Sequence, residues 1–440
     1  MQAVQFLEIE PTTRCNFTCG FCVGRHMVQQ DVSLATFRAA LDAFPGTTHL
    51  ELQGEGEPLL QPQFFEMVAA ARARGIGVSC ITNGSLLSAE NVARLLDADL
   101  DKVMVSFESL DAETFQRLRG GIIAKVIEGL GRLVRERDAR GLRRPAIGLA
   151  VTVLKDTVGE LPSFVALYRR LGLDGGINLQ PLNPMPGYRR HYDPSLASQM
   201  LSDREFREHV GRLRAEPVYG IVLDGTASTR GFFDELFAGF EPSRRACPWL
   251  KRGAFVTADG WVTPCCTIKD GEKAGFGKVG EATAAQLDAA RRALAAELGE
   301  GRTPAPCQGC AIAAMAIAEP GTVAGPDPAE TSVALEIEFS WVHSSWLALQ
   351  RDVNRRLIPA LSDAVVRLED LRRRREEPAA APDELAELRR RLEAVQEERA
   401  RLAAEVAASQ ARVAALRDSW SWRLAAPLRA GHRLLGLGRG

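Results

Sequence analysis

Short apolar runs typical of β-strands alternate with helical patterns through the first 180 residues, and this alternation constrains the fold more than any other feature of the sequence. Strands and helices that alternate at this spacing imply parallel strands joined by right-handed crossovers. We therefore predict an α/β domain whose six strands form an open sheet or an incomplete barrel. The predicted strands are 3–10, 49–53, 76–81, 103–107, 146–154 and 176–180, and the predicted helices lie near 33–43, 60–74, 88–97, 111–138 and 157–171.

The sequence after these units changes in character. Residues 184–245 are rich in Pro, Arg and aromatic residues and predict an irregular connection with one helix near 203–215. The run GAFVTADGWVTP at 253–264 predicts a β-hairpin around its Ala-Asp-Gly turn. A stretch rich in Pro and Gly at 319–330 predicts a linker.

Apolar residues in a 3-4 alternation between residues 385 and 416 predict a helical coiled coil. A shorter helical stretch at 357–377 precedes it and is broken by Pro378 and Pro382. The seam fits a homotypic coiled coil, which would make the protein a homo-oligomer, and also a helix that folds back on a neighbour in the same chain. The seam is apolar except at Arg399 and Ser409. Its positions are Leu385, Leu388, Leu392, Val395, Arg399, Leu402, Val406, Ser409, Val413 and Leu416.

The segment 419–440 contains arginines and tryptophans but no acidic residue. A basic amphipathic segment with tryptophans is typical of a helix that docks on a membrane surface or on a protein partner. A cap that packs on the rest of the chain is the alternative. The string SWRLAAPLR at 421–429 resembles the tail that ends many bacterial surface-glycan enzymes after a coiled coil.

The balance of charge argues against nucleic acid as a partner. The chain of 440 residues has 55 Lys and Arg against 56 Asp and Glu, whereas a protein that binds phosphates usually shows a basic excess. Its N-terminus lacks the features of an export signal, and its longest apolar run, near 310–318, is shorter than the roughly 18–20 residues that span a bilayer. We expect a cytoplasmic protein, associated with a membrane only if the tail docks there.

Nine cysteines, an odd number, argue against a disulfide framework and make the thiols candidates for metal binding or catalysis. Cys15, Cys19 and Cys22 stand as C-x3-C-x2-C directly after the first predicted strand. Three thiolates at this spacing must come from a loop that wraps an ion or a cluster. A 4Fe–4S cluster held by three protein thiolates keeps one iron open for another ligand. A structural zinc site completed by His26 is the alternative.

A second set of cysteines lies in and beyond the predicted hairpin. Cys247 and Cys265 flank the hairpin, and Cys307 and Cys310 form a C-x2-C pair, so four thiolates can converge. Such a set fits an iron–sulfur cluster, and it also fits a structural zinc, because all-thiolate zinc sites commonly use C-x2-C pairs. Cys266 is left over, as an alternative ligand or a bystander.

The first cysteine motif, with Phe21 as its aromatic residue, resembles the C-x3-C-x-aromatic-C signature of the radical S-adenosylmethionine (radical SAM) enzymes. Further segments resemble that family in the expected order, each near the end of a strand or one helix later. GEGEP at 54–58 resembles the segment that contacts the methionine amino group of SAM, and TNG at 82–84 follows the third strand. SFES at 106–109 and RGG at 119–121 resemble the elements near the ribose and the carboxylate of SAM.

The resemblance covers roughly residues 5–185 and implies a partial (β/α)6 TIM-like barrel, a 4Fe–4S cluster on the three cysteines, and SAM on its open iron. An electron from the cluster would cleave SAM to a 5′-deoxyadenosyl radical, which abstracts hydrogen from a carbon of the substrate. That electron would come from a donor protein such as a flavodoxin or a ferredoxin.

The family also implies roles for individual residues. Glu57 and Arg119 would make charge-assisted contacts to the zwitterionic end of SAM. Two positions depart from the common pattern, since Glu108 stands where Asp is commoner and Ser109 where Gly is commoner. The residues that the resemblance implies in cofactor binding are Gly54, Gly56, Glu57, Pro58, Asn83, Ser106, Glu108 and Arg119.

The second cysteine set resembles the start of the SPASM domain that follows the barrel in many radical SAM enzymes. The full SPASM domain needs further cysteines after its C-x2-C pair, and none follows Cys310. The resemblance therefore implies a shortened, twitch-like domain with one auxiliary 4Fe–4S cluster. Its ligands would be Cys247, Cys265, Cys307 and Cys310, and it would assist an oxidation by accepting an electron from the substrate radical.

These interpretations predict a chain of five parts. They are the radical SAM barrel at 1–215, the small cysteine-rich auxiliary domain at 240–318, a linker at 319–345, an α-helical coiled-coil extension at 346–418 and the basic tail at 419–440.

Two substrate classes compete. A small molecule, such as a sugar or another glycan-related compound, is favoured by the shortened auxiliary domain and the glycan-type tail. A peptide or protein side chain is the commonest substrate of SPASM-type enzymes, but the chain begins directly on its first strand, without a peptide-binding module. A zinc-binding coiled-coil scaffold without turnover is the remaining alternative. Cavity candidates without a motif are Tyr188, His191, Asp224 and Asp259.

Overall fold

Six parallel strands follow one another in space in the order in which they occur in the chain, as the strand–helix alternation predicts. The structure is a computed structural model that describes residues 3–215, 236 and 244–318. Each of the first five strands pairs in parallel with the strand that follows it in the chain. Their bounds are β1 (Phe6–Ile9), β2 (His49–Leu52), β3 (Gly77–Thr82), β4 (Lys102–Phe107), β5 (Ala146–Val153) and β6 (Ile177–Pro181).

Two of the helices between these strands begin at serine caps. Ser33 and Ser88 accept backbone N–H groups at the first turns of α1 and α3, which satisfies donors that have no partner inside the helix. The helices of this region are α1 (Leu34–Ala43), α2 (Phe64–Arg72), α3 (Ala89–Asp97), α4 (Ala112–Arg119), α5 (Ile123–Ala139), α6 (Leu161–Arg170), α7 (Pro186–Arg189) and α8 (Asp203–Ala215).

The single helix predicted at 111–138 is in fact two helices. Gly120 ends α4 in the left-handed conformation at φ +72°, and α5 begins three residues later. A side chain at Gly121 would collide with the ring of Phe17, so both glycines are needed where the chain passes the first cysteine loop. The break places Arg119 at the end of α4, beside that loop.

The two faces of the parallel sheet differ in chemistry. Leu7, Ile9, Leu50 and Leu52 alternate along β1 and β2 and are buried with the helices in the main hydrophobic core. The residues between them point to the inner side and include the buried carboxylates of Glu8 and Glu51. Parallel strands covered on both sides are usually apolar throughout, so buried charges on this inner face indicate a functional interior rather than a packed core.

The cysteine-rich segment continues the sheet of the barrel. β7 (Gly253–Val256) pairs in parallel with β1, with Phe6 opposite Gly253 and Glu8 opposite Phe255. The predicted hairpin is confirmed as β7 and β8 (Trp261–Thr263), and β9 (Gly277–Lys278) completes the sheet in the described part of the chain. The helices here are α9 (Pro248–Arg252), α10 (Gly271–Ala274), α11 (Ala284–Gly299) and α12 (Ala311–Ile317).

The α/β fold with a partial TIM-like barrel is therefore confirmed. The predicted linker at 319–345, coiled coil at 346–418 and tail at 419–440 lie outside the described residues, as does Asp224. Within the described residues, no helix is long and apolar enough to cross a membrane.

Candidate functional site

The first three cysteines lie on one loop at the carboxyl end of β1, which is the end where barrels of this kind place their active sites. Cys19 is buried, and Cys15 and Cys22 are half-buried. Backbone N–H groups point at two of the sulfurs, since Gly24 donates to Cys22 Sγ at 3.2 Å and Phe17 to Cys15 Sγ at 3.5 Å. N–H donors of this kind stabilise the thiolate form of cysteine.

Burial raises the pKa of all three thiols, that of Cys19 to about 11, because an isolated thiolate loses its hydration inside the protein. A metal centre that binds these sulfurs must therefore displace their protons and supply the positive charge that holds them as thiolates. The donor set, with three thiols on one loop and backbone N–H groups aimed at sulfur, fits a 4Fe–4S cluster with three protein ligands.

The GEGEP segment approaches this loop so closely that two of its positions exclude a side chain. A Cβ at Gly56 would lie 2.3 Å from the carbonyl oxygen of Thr12 and 2.6 Å from that of Arg14. A Cβ at Gly54 would lie 2.3 Å from Cγ of Glu10. These two glycines therefore let the loop after β2 pack against the chain that leads into the cysteine motif.

Glu57 joins the loops that follow β2 and β3. Its buried carboxylate accepts hydrogen bonds from Thr82 Oγ1 at 2.6 Å and from the backbone N–H groups of Asn83 at 2.7 Å and Leu59 at 3.2 Å. Pro58 follows it as the first residue of a short 3-10 turn. Glu57 is thus engaged with protein donors, and its predicted contact with the amino group of SAM stays a prediction.

Asn83 touches the cysteine loop directly. Its amide nitrogen donates to Asn16 Oδ1 at 2.9 Å and lies 3.8 Å from Cys15 Sγ, while its Oδ1 accepts from the Ser85 hydroxyl at 2.6 Å. The T-N-G segment therefore positions the first cysteine rather than serving only as a turn.

Arg119 and Glu108 form a buried ion pair on the other side of the loop. Arg119 Nε lies 2.7 Å from Glu108 Oε2, and both side chains are almost completely buried. The Nη1 group of Arg119 donates to the Ser106 carbonyl at 2.7 Å, and its positive charge also acts on Cys19. Burial raises the pKa of Glu108 to about 7, and the arginine opposes that rise. Glu108 therefore forms an ion pair with Arg119, the arginine that the resemblance assigns to the SAM carboxylate.

A second polar cluster next to Cys22 is centred on Glu55, the residue of the GEGEP segment to which the sequence assigned no role. The Cys22 thiol donates to Glu55 Oε2 at 3.3 Å, and Tyr188 donates its hydroxyl proton to Glu55 Oε1 at 2.6 Å. Lys269 Nζ lies 3.5 Å from Glu55 Oε1 and 3.8 Å from Oε1 of Glu10. Tyr188 was a cavity candidate from the sequence, but Glu55, Lys269 and Glu10 were not, because they come from segments far apart in the chain.

The thiols of the second cysteine set influence one another electrostatically. Burial raises the pKa of Cys265 to about 12, and the nearby thiols of Cys247 and Cys310 contribute to the rise. Cys307 responds in the same way to Cys247 and Cys310. Cys247, Cys307 and Cys310 pack against apolar side chains of α11 and α12, and Cys265 packs against the cluster that contains Phe255 and Trp249. Four such thiols fit the donor set of one fully protein-held cluster.

Cys266 is half-buried between the two cysteine sets. The charges that act on its thiol are those of Glu8, Cys265, Lys269 and Glu55. His26, the fourth ligand of the zinc alternative, stacks on His191 with ring centroids 4.7 Å apart. Among the residues that the structure describes, no three His, Cys, Asp or Glu side chains are grouped closely enough to hold a single metal ion. Asp259 lies in the β7–β8 turn and bonds the hydroxyl of Thr257 at 2.5 Å.

An incomplete parallel barrel with three cysteines on the loop after its first strand defines a class of proteins that bind an iron–sulfur cluster at that position. Comparison with known families agrees, since residues 9–143 match the model of the Radical SAM superfamily. The chain therefore contains a radical SAM domain over these residues.

Individual relatives share only part of their length with this chain. It is 32% identical over 201 residues to a tungsten-containing aldehyde ferredoxin oxidoreductase cofactor-modifying protein of Pyrococcus furiosus, covering 44% of this chain and 56% of the relative. It is 32% identical over 171 residues to the mycofactocin maturase MftC of Mycobacterium ulcerans, covering 38% and 44%. The chain thus spans about half the length of these relatives.

A solved structure extends the likeness in fold beyond the radical SAM domain. The structure of Streptococcus suis SuiB bound to the precursor peptide SuiA aligns with a TM-score of 0.53 at 16% identity. The alignment covers 72% of this chain and 71% of that one. At this identity the likeness establishes a shared fold.

Proposed function

We propose that this protein cleaves SAM reductively at a 4Fe–4S cluster on Cys15, Cys19 and Cys22 and removes a hydrogen atom from a carbon of a peptide or protein substrate. The observation that carries the proposal is the cysteine loop itself, with three thiols at the end of β1 and N–H groups directed at their sulfurs. When bound, such a cluster supplies the electron that cleaves SAM and so generates the 5′-deoxyadenosyl radical.

The residues around the loop would hold it in one geometry. Glu57 connects the loops after β2 and β3, and Asn83 extends that connection to Cys15. The buried Arg119–Glu108 pair places a positive charge beside Cys19, which favours the thiolate that the cluster needs. These contacts would also keep water away from the reacting groups, because the side chains that make them are largely buried.

A peptide or protein substrate is supported better than the small molecule expected from the sequence. A relative at 32% identity is a maturase, and a protein of the same fold was solved with a precursor peptide. The small-molecule class, including sugars, is the competing outcome of the substrate test below.

We further propose that Cys247, Cys265, Cys307 and Cys310 hold one auxiliary 4Fe–4S cluster. The mutual influence of these thiols supports the assignment. The parallel pairing of β7 with β1 places their segment on the barrel itself, where an electron acceptor for a substrate radical would have to lie.

The test is anaerobic purification followed by SAM turnover. We expect a brown protein with about eight irons that forms 5′-deoxyadenosine when dithionite or a reduced flavodoxin or ferredoxin is added. A colourless protein with zinc and no SAM cleavage would contradict the proposal. Incubation with peptides and with sugar nucleotides, followed by mass spectrometry of both, separates the two substrate classes.

A further inference from the structure

A row of four polar residues crosses the inner face of the barrel on four neighbouring strands. The strand registers place Glu8 opposite Glu51, Glu51 opposite Ser79, and Ser79 opposite Lys102. We call these four residues the inner row. Because strands in register present side chains at the same height, the inner row forms a continuous band from β1 to β4.

The two carboxylates of the inner row each have an oxygen that is not engaged. Glu51 Oε2 accepts from the Ser79 hydroxyl, and Glu8 is hydrogen bonded to Gln53. Among the described residues, neither Glu8 Oε2 nor Glu51 Oε1 makes a hydrogen bond. Glu8 is 1% exposed and Glu51 is 4% exposed, so both free oxygens lie in the interior. A buried carboxylate oxygen without a donor is costly, and such atoms are normally satisfied by water or a ligand.

The charges that face the inner row do not balance it. The charged side chains packed around it in the described structure are Glu8, Glu10, Glu51, Glu55, Lys102 and Lys269, and the thiol of Cys266 lies beside Glu8. Carboxylates therefore outnumber lysines. Lys269 is already placed between Glu10 and Glu55, one layer closer to the cysteine loop.

An aromatic face next to the row is also suited to a cation. Phe255 of β7 stands opposite Glu8 in the sheet, and Lys269 Nζ lies 4.1 Å from the centre of its ring. The face of an aromatic ring attracts positive charge, so this side of the interior already holds one ammonium group by the same chemistry.

We propose that the inner row binds a cationic nitrogen group of the substrate, an amine or a guanidinium, whose N–H donors reach Glu8 Oε2 and Glu51 Oε1. This inference rests on the proposed function and names the chemical class that the barrel selects. The bound group would supply the donors and the positive charge that the interior lacks. In a peptide substrate, the group is the side chain of a lysine or an arginine.

The inner row lies close enough to the cysteine loop to orient a substrate there. Glu10, two residues after Glu8 on the same face, accepts the backbone N–H of Glu55 at 2.9 Å, and Glu55 contacts Cys22. A substrate that binds the row through its cation would therefore lie on the inner face of the barrel that also carries Glu10. Glu8 and Glu51 would act as specificity-determining residues rather than as partners of the reacting atom.

The test uses the anaerobically purified holoprotein and four probes with similar alkyl chains. They are n-butylammonium, n-butylguanidinium, n-butanol and butyrate, with binding measured by isothermal titration calorimetry. We expect the two cations to bind and the alcohol and the anion to bind at least about tenfold more weakly, since a charge-assisted hydrogen bond in a buried site typically contributes a factor of ten or more. Equal binding of n-butanol and n-butylammonium to the wild type would overturn the proposal without any variant.

Variants locate the effect at the row. Glu8→Gln and Glu51→Gln keep the shape of each side chain and should each weaken cation binding by about tenfold, while the exposed Glu113→Gln on α4 serves as the matched control. Unchanged cation preference in the double variant would also overturn the proposal. Dithionite-driven SAM cleavage and iron content, measured on the same samples, report on the proposed function and on folding. A wild type that binds cations but does not cleave SAM would contradict the proposed function alone.

Discussion

The two cysteine sets solve different chemical problems with the same ligand. The first set offers three thiols on one loop, among polar and charged neighbours such as Asn83, Arg119 and Glu55. The second offers four thiols from a hairpin and two helical segments, among apolar side chains. A centre with an unfilled coordination position needs polar groups to hold what binds there, whereas a fully ligated centre needs only to be enclosed. The contrast is what the proposed function requires, with substrate chemistry at the first set and electron transfer at the second.

Removing a thiol from the first loop is the strongest test of this difference between the two cysteine sets. Cys19→Ala should lower iron content by about four atoms and reduce 5′-deoxyadenosine formation to background, because three ligands are the minimum for this cluster. Iron analysis and SAM turnover under dithionite measure both effects. Cys80→Ala is the control, since Cys80 is buried in β3 and packs in the main core. Retained SAM cleavage in Cys19→Ala would refute the ligand assignment.

Removing a thiol from the second set should separate the two centres. Cys265→Ala should also lose about four irons but keep dithionite-driven SAM cleavage, while modification of the substrate fails. The neighbouring Cys266→Ala should retain its iron, because Glu8 acts on the Cys266 thiol more strongly than Cys265 does, and Lys269 and Glu55 act on it as well. If Cys266→Ala loses iron and Cys265→Ala does not, the two residues have been assigned in the wrong order.

The buried ion pair beside the first loop predicts a large effect on stability. Arg119→Met leaves the carboxylate of Glu108 without its partner and should lower the free energy of unfolding by about 3–5 kcal/mol. The double variant Glu108→Leu with Arg119→Met should recover much of that loss, because no unpaired charge remains. Urea denaturation of both proteins checks the prediction. Equal losses in the single and the double variant would show that the pair acts through packing alone.

The inner row predicts a smaller effect that depends on pH. Burial raises the pKa of Glu8 from 4.5 to about 8, so the folded state holds this proton more tightly than the unfolded state. The free energy of unfolding that protonated Glu8 contributes is fully present below pH 4.5, and it is lost as the pH rises through 8. Glu8→Gln should therefore stabilise the protein more at pH 8 than at pH 5.5, by about 1–3 kcal/mol. A gain that is the same at both values, as expected for the exposed Glu66→Gln, would contradict the assignment.

Several parts of the structure could be predicted because they depend on neighbours in sequence. Ser33 and Ser88 cap α1 and α3 through bonds to residues three positions further on, and the six predicted strands pair in sequential order. The cysteine loop follows β1 as its position required. The break between α4 and α5 was missed, because the two glycines after Arg119 were interpreted as part of a binding motif and not as the end of a helix.

Periodicity, caps and cysteine spacing are local properties, so the sequence alone determined the class of fold, the order of the strands and the loop that carries the first three thiols. Tertiary structure decided which distant residues meet. Lys269 reaches Glu10 and Glu55 only because β7 returns to pair with β1, and the inner row exists only because four strands share one register. Contacts of this kind depend on how the strands of the sheet are arranged. The free energy that selects this arrangement is spread over the whole core, so no short sequence pattern predicts the contacts.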